Sequence, residues 1–271
     1  MPELPEVETI KNELNEQVIS KYITDIEILL NRTFINHTQF DISELTGKIS
    51  SINRHGKYLI IKIEDKFQVL VHLRMTGKLI YCPCLQDNTT KTNHIRLIFH
   101  FKDEDCLLFD DVRTFGKIEV FPFETDIKTF KKIGIDALDT NFDFKELKSI
   151  CQNKTTQIKI LLLNQNLIAG IGNIYAQEIL FDTKISPFKQ AKSLTDKEIK
   201  KILTSTKKIL SLAVKHNGTS ISDFRRVDDK TGEFQNFLKV YGKISCPVCY
   251  TDILKVKQGG RSTNYCPKCQ R

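Results

Sequence analysis

The C-terminal segment reads Cys246-Pro247-Val248-Cys249, followed by sixteen residues and then Cys266-Pro267-Lys268-Cys269. Each Cys-x-x-Cys pair lets one tight turn present two thiolates, and two pairs at this separation are typical of a zinc ribbon. Because four sulfurs complete a tetrahedron, the pattern predicts a closed, structural Zn²⁺ site. A pair of redox dithiols is the alternative, but the flanking sequence shows no βαβ pattern of the kind that surrounds such motifs.

The residues around these cysteines are strongly basic. Residues 242–271 contain six lysine or arginine side chains and one aspartate, and the whole chain has 41 Lys and Arg against 33 Asp and Glu, a formal net charge of +8. Four thiolates on one Zn²⁺ leave a charge of about −2, which does not outweigh the basic side chains. The balance favours a polyanionic partner and concentrates the positive charge at the C-terminus.

The chain as a whole has the composition of a globular protein. Hydrophobic residues make up 40% of its 271 positions and charged residues 27%, which excludes fibrous repeats and general disorder. No apolar run approaches the roughly 20 residues that span a bilayer, and the acidic N-terminus lacks signal-peptide features. We therefore expect a cytosolic protein without membrane attachment, in which Cys82, Cys84 and Cys106 are ordinary thiols rather than a second metal site.

Hydrophobic periodicity divides the chain into three parts. Apolar residues at Val7, Ile10, Leu14 and Val18 predict an amphipathic helix that opens the protein. Short β-branched and aromatic runs then predict a β-sandwich, with turn signals at Gly47, Gly56, Gly77 and Gly116. Helical patterns follow from about residue 130. We therefore expect an α+β multidomain fold, with a helix and β-sandwich over residues 1–130, a helical region over 131–240 and a zinc finger over 241–271. The predicted strands are 22–30, 48–53, 58–63, 67–73, 94–101, 107–109 and 117–121, and the predicted helices are 142–151, 155–163, 173–181 and 195–215.

Six motifs occur along the chain in a fixed order. They are residues 2–8 (PELPEVE), 54–59 (RHGKYL), 72–77 (HLRMTG), 111–116 (DVRTFG), 168–176 (IAGIGNIYA) and the four-cysteine tail. Together they resemble the bacterial formamidopyrimidine-DNA glycosylase family over the whole chain. The resemblance implies a β-sandwich joined to a helix–two-turn–helix (H2TH) region and a zinc finger. The endonuclease VIII family shares this architecture but usually begins Pro-Glu-Gly-Pro-Glu, so Leu4 favours the former family.

The first motif supplies a chemically suitable nucleophile. An initiator Met followed by a small residue such as Pro2 is normally removed, which exposes a secondary amine that can react at neutral pH. Attack at a sugar C1′ gives an iminium ion, which is an electron sink for β-elimination. Retention of Met1 would turn the nitrogen into an amide and remove this chemistry. Taken alone, residues 2–5 would be interpreted as a helix start or a polyproline segment rather than as a nucleophile, and the other motifs reverse that interpretation.

Two carboxylates and two basic residues complete the catalytic set that the resemblance implies. Glu3 and Glu6 lie three positions apart and share a helix face if the helix begins this early. By resemblance Glu3 is the general acid/base for sugar opening and elimination, Glu6 helps to organise the sugar and the amine, and Lys57 reaches the phosphate and the damaged nucleotide. Arg261 is the remaining catalytic position. The alternatives are charges that favour a helix N-terminus and isolated surface cations.

Phosphate contacts are implied for His72, Lys159, Asn173 and Arg261. Such contacts fix affinity and register on DNA rather than sequence choice. For Asn173 a physical reason is visible in the sequence, because a helix that begins there after Gly172 points free N–H groups at an anion. A simple helix cap is the alternative for this motif taken alone.

Base extrusion explains the last three matches, Met75, Arg113 and Phe115. Removing one nucleotide from a duplex leaves a hole and an orphan partner, which costs a few kcal/mol. A flexible Met and a stacking Phe can fill the hole, and an Arg can donate to a cytosine edge. Each residue taken singly would be a core side chain or a surface ion-pairing Arg, so their joint occurrence carries the inference.

The resemblance therefore implies a bifunctional DNA glycosylase and abasic-site lyase that removes oxidised purines, such as 8-oxoguanine and formamidopyrimidines, and cleaves the strand by β,δ-elimination. The expected partner is double-stranded DNA with oxidised bases or abasic sites, bound by a monomer in the bacterial cytoplasm at the nucleoid, and the expected cofactor is one structural Zn²⁺. Two alternatives stay open, an endonuclease VIII-like enzyme for oxidised pyrimidines and a non-catalytic zinc-finger binder of damaged DNA. Thr76, Asn164 and residues 217–237 depart from the family pattern or align loosely with it, so no base-recognition residue is assigned there.

Overall fold

The computed structural model describes residues 2–83, 93–221, 224–228 and 230–271. The chain forms two compact units, one made of Met1–Phe130 and His216–Glu233, the other of Lys131–Lys215 and Phe234–Arg271. The segment 216–233 thus joins the first unit although it follows the helical region in the sequence. The division at residue 240 stays a prediction.

The first unit opens with the predicted helix, α1 (Leu4–Gln17). Val7, Ile10, Leu14 and Val18 are all buried in the main hydrophobic core, so the amphipathic pattern is confirmed. Pro5 lies in the first turn, where a missing N–H costs nothing because that group has no partner within the helix. One face of α1 therefore seals the core of this unit.

Nine strands and a short helix follow α1 in the described part of the first unit. The elements are β1 (Tyr22–Ile28), β2 (Phe34–Asn36), β3 (Gly47–His55), β4 (Tyr58–Ile63), β5 (Phe67–His72), β6 (Gly77–Cys82), β7 (Ile95–Phe101), β8 (Cys106–Asp111), β9 (Lys117–Pro122) and α2 (Ile127–Phe130). The strands join in the order β2-β9-β5-β4-β3-β1-β7-β8-β6. Only two residue pairs, Tyr22 with Lys48 and Ile23 with Gly47, connect β1 to β3, and the halves on either side of this junction share one core. The predicted β-sandwich is therefore confirmed, as two layers joined through one ladder.

β6 is not among the strands predicted from the sequence. Gly77 was read as a turn signal, whereas it is the first residue of β6 and pairs with Asp111 at the end of β8. At the other end of the same ladder Cys82 pairs with Cys106, and both thiols are buried. Cys84 lies outside the described residues.

Helices form most of the regular structure of the second unit, and a β-hairpin lies near its C-terminus. The elements are β10 (Ile135–Asp136), α3 (Phe144–Cys151), α4 (Ile158–Leu162), β11 (Ile168–Ala169), α5 (Asn173–Thr183), α6 (Asp196–Lys215), β12 (Leu254–Gln258) and β13 (Arg261–Tyr265). All four helices expected in this region are present, although α4 begins three residues later than predicted. α6 buries Ile199, Ile202, Ile209 and Leu210 along one side, as its amphipathic pattern requires.

Short 3₁₀ helices occur in both units, at Asn31–Thr33, Ile42–Glu44, Ala191–Ser193 and Phe234–Phe237. Among the described residues, no helix combines the length and the apolar character needed to cross a membrane.

Candidate active site and metal centre

The start of α1 brings Glu3 and Glu6 together. Glu3 is the N-cap residue and Glu6 is the third helical residue, and each side chain accepts a hydrogen bond from the other's backbone N–H. The bond from Glu3 N to Glu6 Oε2 is 2.8 Å long. Both carboxylates are 2% exposed, and Pro2 beside them is buried as well. The predicted shared face is therefore present, and it is fixed by a capping box.

Glu6 also holds the segment that returns to the first unit. Its second oxygen, Oε1, accepts a hydrogen bond from the backbone N–H of Thr219 at 2.7 Å. Gly218 packs so closely that an added Cβ would lie 2.8 Å from the same oxygen, and its φ of +76° also favours glycine. One buried carboxylate thus joins the beginning of α1 to a segment in which no residue had been assigned a role.

Lys57 lies in the two-residue turn between β3 and β4 and is buried. Arg54 ties this turn to α1, because its Nε donates to Glu8 Oε2 at 2.6 Å and its Nη1 donates to the carbonyl of Gly56 at 3.0 Å. Partial burial raises the pKa of Glu8, but hydrogen bonds from Lys11 and Arg54 outweigh that effect and lower the pKa below its ordinary value. Arg54 therefore connects the turn that contains Lys57 to α1, the helix that begins beside Glu3 and contains Glu6.

His72 ends β5 and is buried. Its Nδ1 accepts a hydrogen bond from the backbone N–H of Arg74 at 3.0 Å, and its ring meets that of Tyr58 edge-on at 4.4 Å between centroids. In the neutral ring the proton is therefore on Nε2, which makes that nitrogen a hydrogen-bond donor. A donor is what a phosphate oxygen needs.

Two loops present the three residues expected to fill a gap in DNA. Met75 is 38% exposed in the loop before β6, and Phe115 is 51% exposed in the loop after β8. The Arg113 guanidinium lies 5.0 Å from the centroid of the Phe115 ring, in a cation–π arrangement. Large apolar side chains left in solvent at adjacent loops, with a cation stacked on one of them, fit a wedge rather than a core role.

Asn173 is the first residue of α5 and follows Gly172, the N-cap residue. Its Oδ1 is buried and has no hydrogen-bond partner within the described part of the protein. The first N–H groups of an eleven-residue helix also lack partners inside the helix. The start of α5 thus places one buried oxygen without a partner among the described residues, Asn173 Oδ1, beside N–H groups that the helix itself cannot satisfy.

Lys159 and Arg261 meet at one hairpin but have different surroundings. Arg261 begins β13 and is exposed, next to a cavity of about 390 Å³ that Lys154 and Asn164 also line. Lys159 is 0% exposed, and its Nζ donates to Thr263 Oγ1 at 2.7 Å and to the Ser262 carbonyl at 3.2 Å. Its ammonium therefore supports the strand that carries Arg261 instead of lying on the surface.

The four C-terminal cysteines form a compact cluster. All four sulfurs lie within 4.8 Å of one another, and no other such group of three or more potential ligands occurs in the described ranges. Cys249 and Cys266 are 3.5 Å apart at sulfur, and Cys246 and Cys269 are 3.9 Å apart. Zinc–sulfur bonds of 2.3 Å in a tetrahedron require about 3.8 Å between sulfurs, so the donor set fits Zn²⁺.

Protonation supports the same assignment. Hydrogen bonds from Thr251 lower the pKa of Cys249 to about 6, whereas the hydrogen bond with Cys249 raises the pKa of Cys269 to about 12. The thiols cannot all ionise side by side without a cation among them, and a bound divalent metal supplies it.

Glu178, in α5, is a buried residue that the sequence analysis did not single out. Its carboxylate accepts hydrogen bonds from the backbone N–H groups of Lys239, Val240 and Tyr241 at 2.8–3.0 Å. Burial raises its pKa, although these donors act in the opposite direction. The interaction fixes the chain just before the cysteine cluster. The sequence did contain a signal for Glu178, because it is a charged residue within a predicted helix that is otherwise largely apolar.

Three protein-family domains match consecutive parts of the chain. They are the formamidopyrimidine-DNA glycosylase N-terminal domain over residues 1–118, the formamidopyrimidine-DNA glycosylase H2TH domain over 133–225, and a zinc finger found in FPG and IleRS over 245–271. The first two matches include the α1 carboxylates and the start of α5, and the third includes all four clustered cysteines.

Full-length similarity extends to a named relative and to solved structures. A protein of Wolbachia pipientis subsp. Culex pipiens named formamidopyrimidine-DNA glycosylase is 38% identical over 273 residues, which cover 100% of both chains. A Lactococcus lactis FPG mutant, solved with Fapy-dG-containing DNA, matches with a TM-score of 0.91 at 38% identity over 100% of both chains. The Lactococcus lactis Fpg complexed with abasic-site DNA matches with a TM-score of 0.89 at 38% identity over 99% of both chains.

Proposed function

This chain belongs to the formamidopyrimidine-DNA glycosylase family, and on that premise we propose that it excises oxidised purines from duplex DNA and then cleaves the strand at the abasic site. The observation that carries the proposal is the buried pair Glu3 and Glu6 beside Pro2 at the start of α1. Two buried carboxylates within one helical turn of the residue that carries the reactive amine can move protons at the atom that attacks.

The proposed reaction begins at the Pro2 nitrogen after removal of Met1. The amine bonds to C1′ of the damaged nucleotide, the bond from C1′ to the base breaks, and the base leaves with the electron pair and takes up a proton. Glu3 accepts the amine proton and delivers it to the sugar ring oxygen as the ring opens, which leaves an iminium ion. Loss of the C2′ proton then expels the 3′ phosphate, and a second elimination expels the 5′ phosphate.

The other predicted residues bind and position the DNA. The Nε2–H of His72 and the exposed guanidinium of Arg261 suit phosphate oxygens, and the N-terminus of α5 at Asn173 suits an anion because its N–H groups and dipole are positive. Lys57 acts at the damaged nucleotide from its hairpin turn. The buried hydrogen bonds of Lys159 favour a role in supporting β13, the strand that begins with Arg261. The tetrathiolate Zn²⁺ is structural, because all four ligand positions are occupied by sulfur.

Double-stranded DNA with oxidised bases or abasic sites is the partner that this assignment requires. Lactococcus lactis Fpg proteins, to which the chain is similar, were solved with Fapy-dG and abasic-site DNA, and these findings do not favour an endonuclease VIII-like preference or a purely non-catalytic binder. We further propose that the enzyme acts as a monomer at the chromosome of a bacterial cell.

Replacing Glu3 by Gln tests the chemistry. We expect Glu3→Gln to slow excision of 8-oxoguanine opposite C by about 10²- to 10⁴-fold, the range typical of a lost general acid/base, while affinity for undamaged duplex stays the same. Single-turnover rates and a fluorescence-anisotropy titration measure the two quantities. Glu16→Gln is the control, since Glu16 is an exposed carboxylate of the same helix. Excision by Glu3→Gln at the wild-type rate would remove Glu3 from the mechanism.

Phosphate binding predicts a salt dependence. We expect the affinity for undamaged duplex to fall about 10²-fold between roughly 50 and 200 mM salt, because bound cations release counterions. Arg261→Gln should reduce the slope of log K against log salt by about 1. Lys197→Gln, at an exposed lysine of α6 without an assigned role, should leave the slope unchanged. A salt-independent affinity, or equal slopes for wild type and Arg261→Gln, would contradict the assignment.

A further inference from the structure

The loops that carry Met75 and Arg113 are connected by one buried carboxylate. Asp111 ends β8 and is 0% exposed. Its Oδ1 accepts hydrogen bonds from the Thr76 hydroxyl and, at 3.2 Å, from the backbone N–H of Arg113. Its Oδ2 accepts the backbone N–H of Gly116 at 2.7 Å. Donors from both loops therefore converge on a single side chain.

Thr76 completes the connection. Its Oγ1 donates to Asp111 and also accepts the backbone N–H of Arg113 at 3.1 Å. The hydroxyl of the Met75 loop is thus in direct contact with the backbone of the Arg113 loop. A residue without a hydroxyl at position 76 would leave these groups buried without one of their partners, which is costly.

A common platform lies beneath both loops. An added Cβ on Gly116 would lie 2.5 Å from Cζ of Phe109, and one on Gly77 would lie 3.1 Å from the same atom. Phe109 itself is fully buried. Gly77 and Gly116, which follow the two loops, therefore pack closely on one ring, while Met75, Arg113 and Phe115 are exposed.

We propose that Asp111 and Thr76 are positioning residues that fix the Met75 loop and the Arg113–Phe115 loop relative to each other, so that the three exposed side chains enter DNA as one unit and read the orphan base. The inference rests on the proposed function and adds a determinant of base-extrusion efficiency and opposite-base selectivity. Neither residue touches the reacting atoms; each acts through hydrogen bonds to loop backbone and side chain.

The experiment compares two substrates. For Asp111→Asn and Thr76→Val we expect excision of 8-oxoguanine opposite C to slow by about 10- to 100-fold, the cost of losing a hydrogen bond to a charged group, and the preference for C over A opposite the lesion to shrink. Borohydride trapping on a duplex with a preformed abasic site should change by less than about threefold, because no damaged base has to be unstacked there. Thr76→Ser should restore the wild-type behaviour.

Asp105→Asn is the matched control. Asp105 is a buried carboxylate immediately before β8, at the opposite end of the strand from Asp111, and it binds Lys21 and Tyr81 instead of the two loops. We expect it to alter thermal stability without altering the selectivity for C over A. If Asp111→Asn fails to fold, Thr76→Val and Thr76→Ser carry the test.

Three outcomes would overturn the inference: equal losses on both substrates, unchanged selectivity in Thr76→Val, or failure of Thr76→Ser to restore it. Absence of trapping by the wild-type enzyme would instead refute the proposed lyase chemistry. A fluorescent base analogue beside the lesion gives a direct readout, since its unstacking should be slowed in Asp111→Asn and Thr76→Val but not in Asp105→Asn.

Discussion

A chain with extra residues before Pro2 should lose covalent trapping on lesion DNA by at least about 10³-fold, the scale seen when a catalytic nucleophile is removed. The reason is chemical. The proposed nucleophile is the secondary amine of Pro2, and a preceding residue converts it to an amide, which neither attacks C1′ nor forms an iminium ion. The buried carboxylates, the loops and the metal site remain in the same chain, so affinity for undamaged duplex should be retained.

The extension can carry a protease site placed so that cleavage leaves Pro2 as the first residue. Mass analysis of the N-terminus before and after cleavage, combined with borohydride trapping, links activity to the state of one nitrogen atom. We expect cleavage to restore trapping in proportion to the fraction of free Pro2. An extended, uncleaved chain that traps abasic DNA at the wild-type rate would show that another amine is the nucleophile.

Local patterns in the sequence predicted the elements whose stability is local. The apolar spacing of α1 determined its buried face, and the two Cys-x-x-Cys pairs determined the metal cluster. Spacing also predicted that Glu3 and Glu6 share a face, because both lie in one helical turn. In α1 the interacting residues are close in sequence. In the metal cluster, the two Cys-x-x-Cys pairs form a pattern that is typical of zinc sites and uncommon elsewhere.

Features that depend on distant pairing could not be predicted in this way. β6 begins at a glycine that looked like a turn, because Gly77 is needed where the strand passes close to Phe109 and Leu73. Asp111 belongs to a strand in which all six residues are buried, and only the pairing of β6 with β8 reveals its donors. For Lys159 the sequence implied a phosphate contact and no internal partner, because its partners Ser262 and Thr263 lie about a hundred residues later in the chain.

Buried carboxylates that accept hydrogen bonds from backbone N–H groups recur where two separate segments of the chain meet. Glu6 holds Thr219, Asp111 holds Arg113 and Gly116, and each does so within the first unit. A carboxylate that accepts several backbone donors is stabilised by charge-assisted hydrogen bonds, and removing it leaves those donors buried without partners. Fixing loops in this way leaves their exposed side chains available for a ligand.

Loss of the metal should also have a large effect, but on the affinity for DNA and not on the covalent chemistry. The cysteine cluster packs against a small apolar group that includes Phe181 and Val240, which is too little core to fold this segment by itself. In zinc fingers the metal supplies about 10–16 kcal/mol toward folding. We therefore expect Cys249→Ser to lose its single Zn²⁺ and to bind undamaged duplex at least about 100-fold more weakly, since Arg261 is carried by the adjacent hairpin.

Cys151→Ser is the matched control, because burial raises the pKa of the Cys151 thiol to about 11 and keeps it protonated, unlike a metal ligand. It should retain one zinc per chain and wild-type affinity. Metal content, DNA affinity and hydrogen exchange in residues 254–265 together locate the defect: in Cys249→Ser, exchange should accelerate in this hairpin while the strands of the β-sandwich stay protected. Full DNA affinity in a chain shown to be free of zinc would mean that the hairpin is held by the packing around Lys159 and not by the metal.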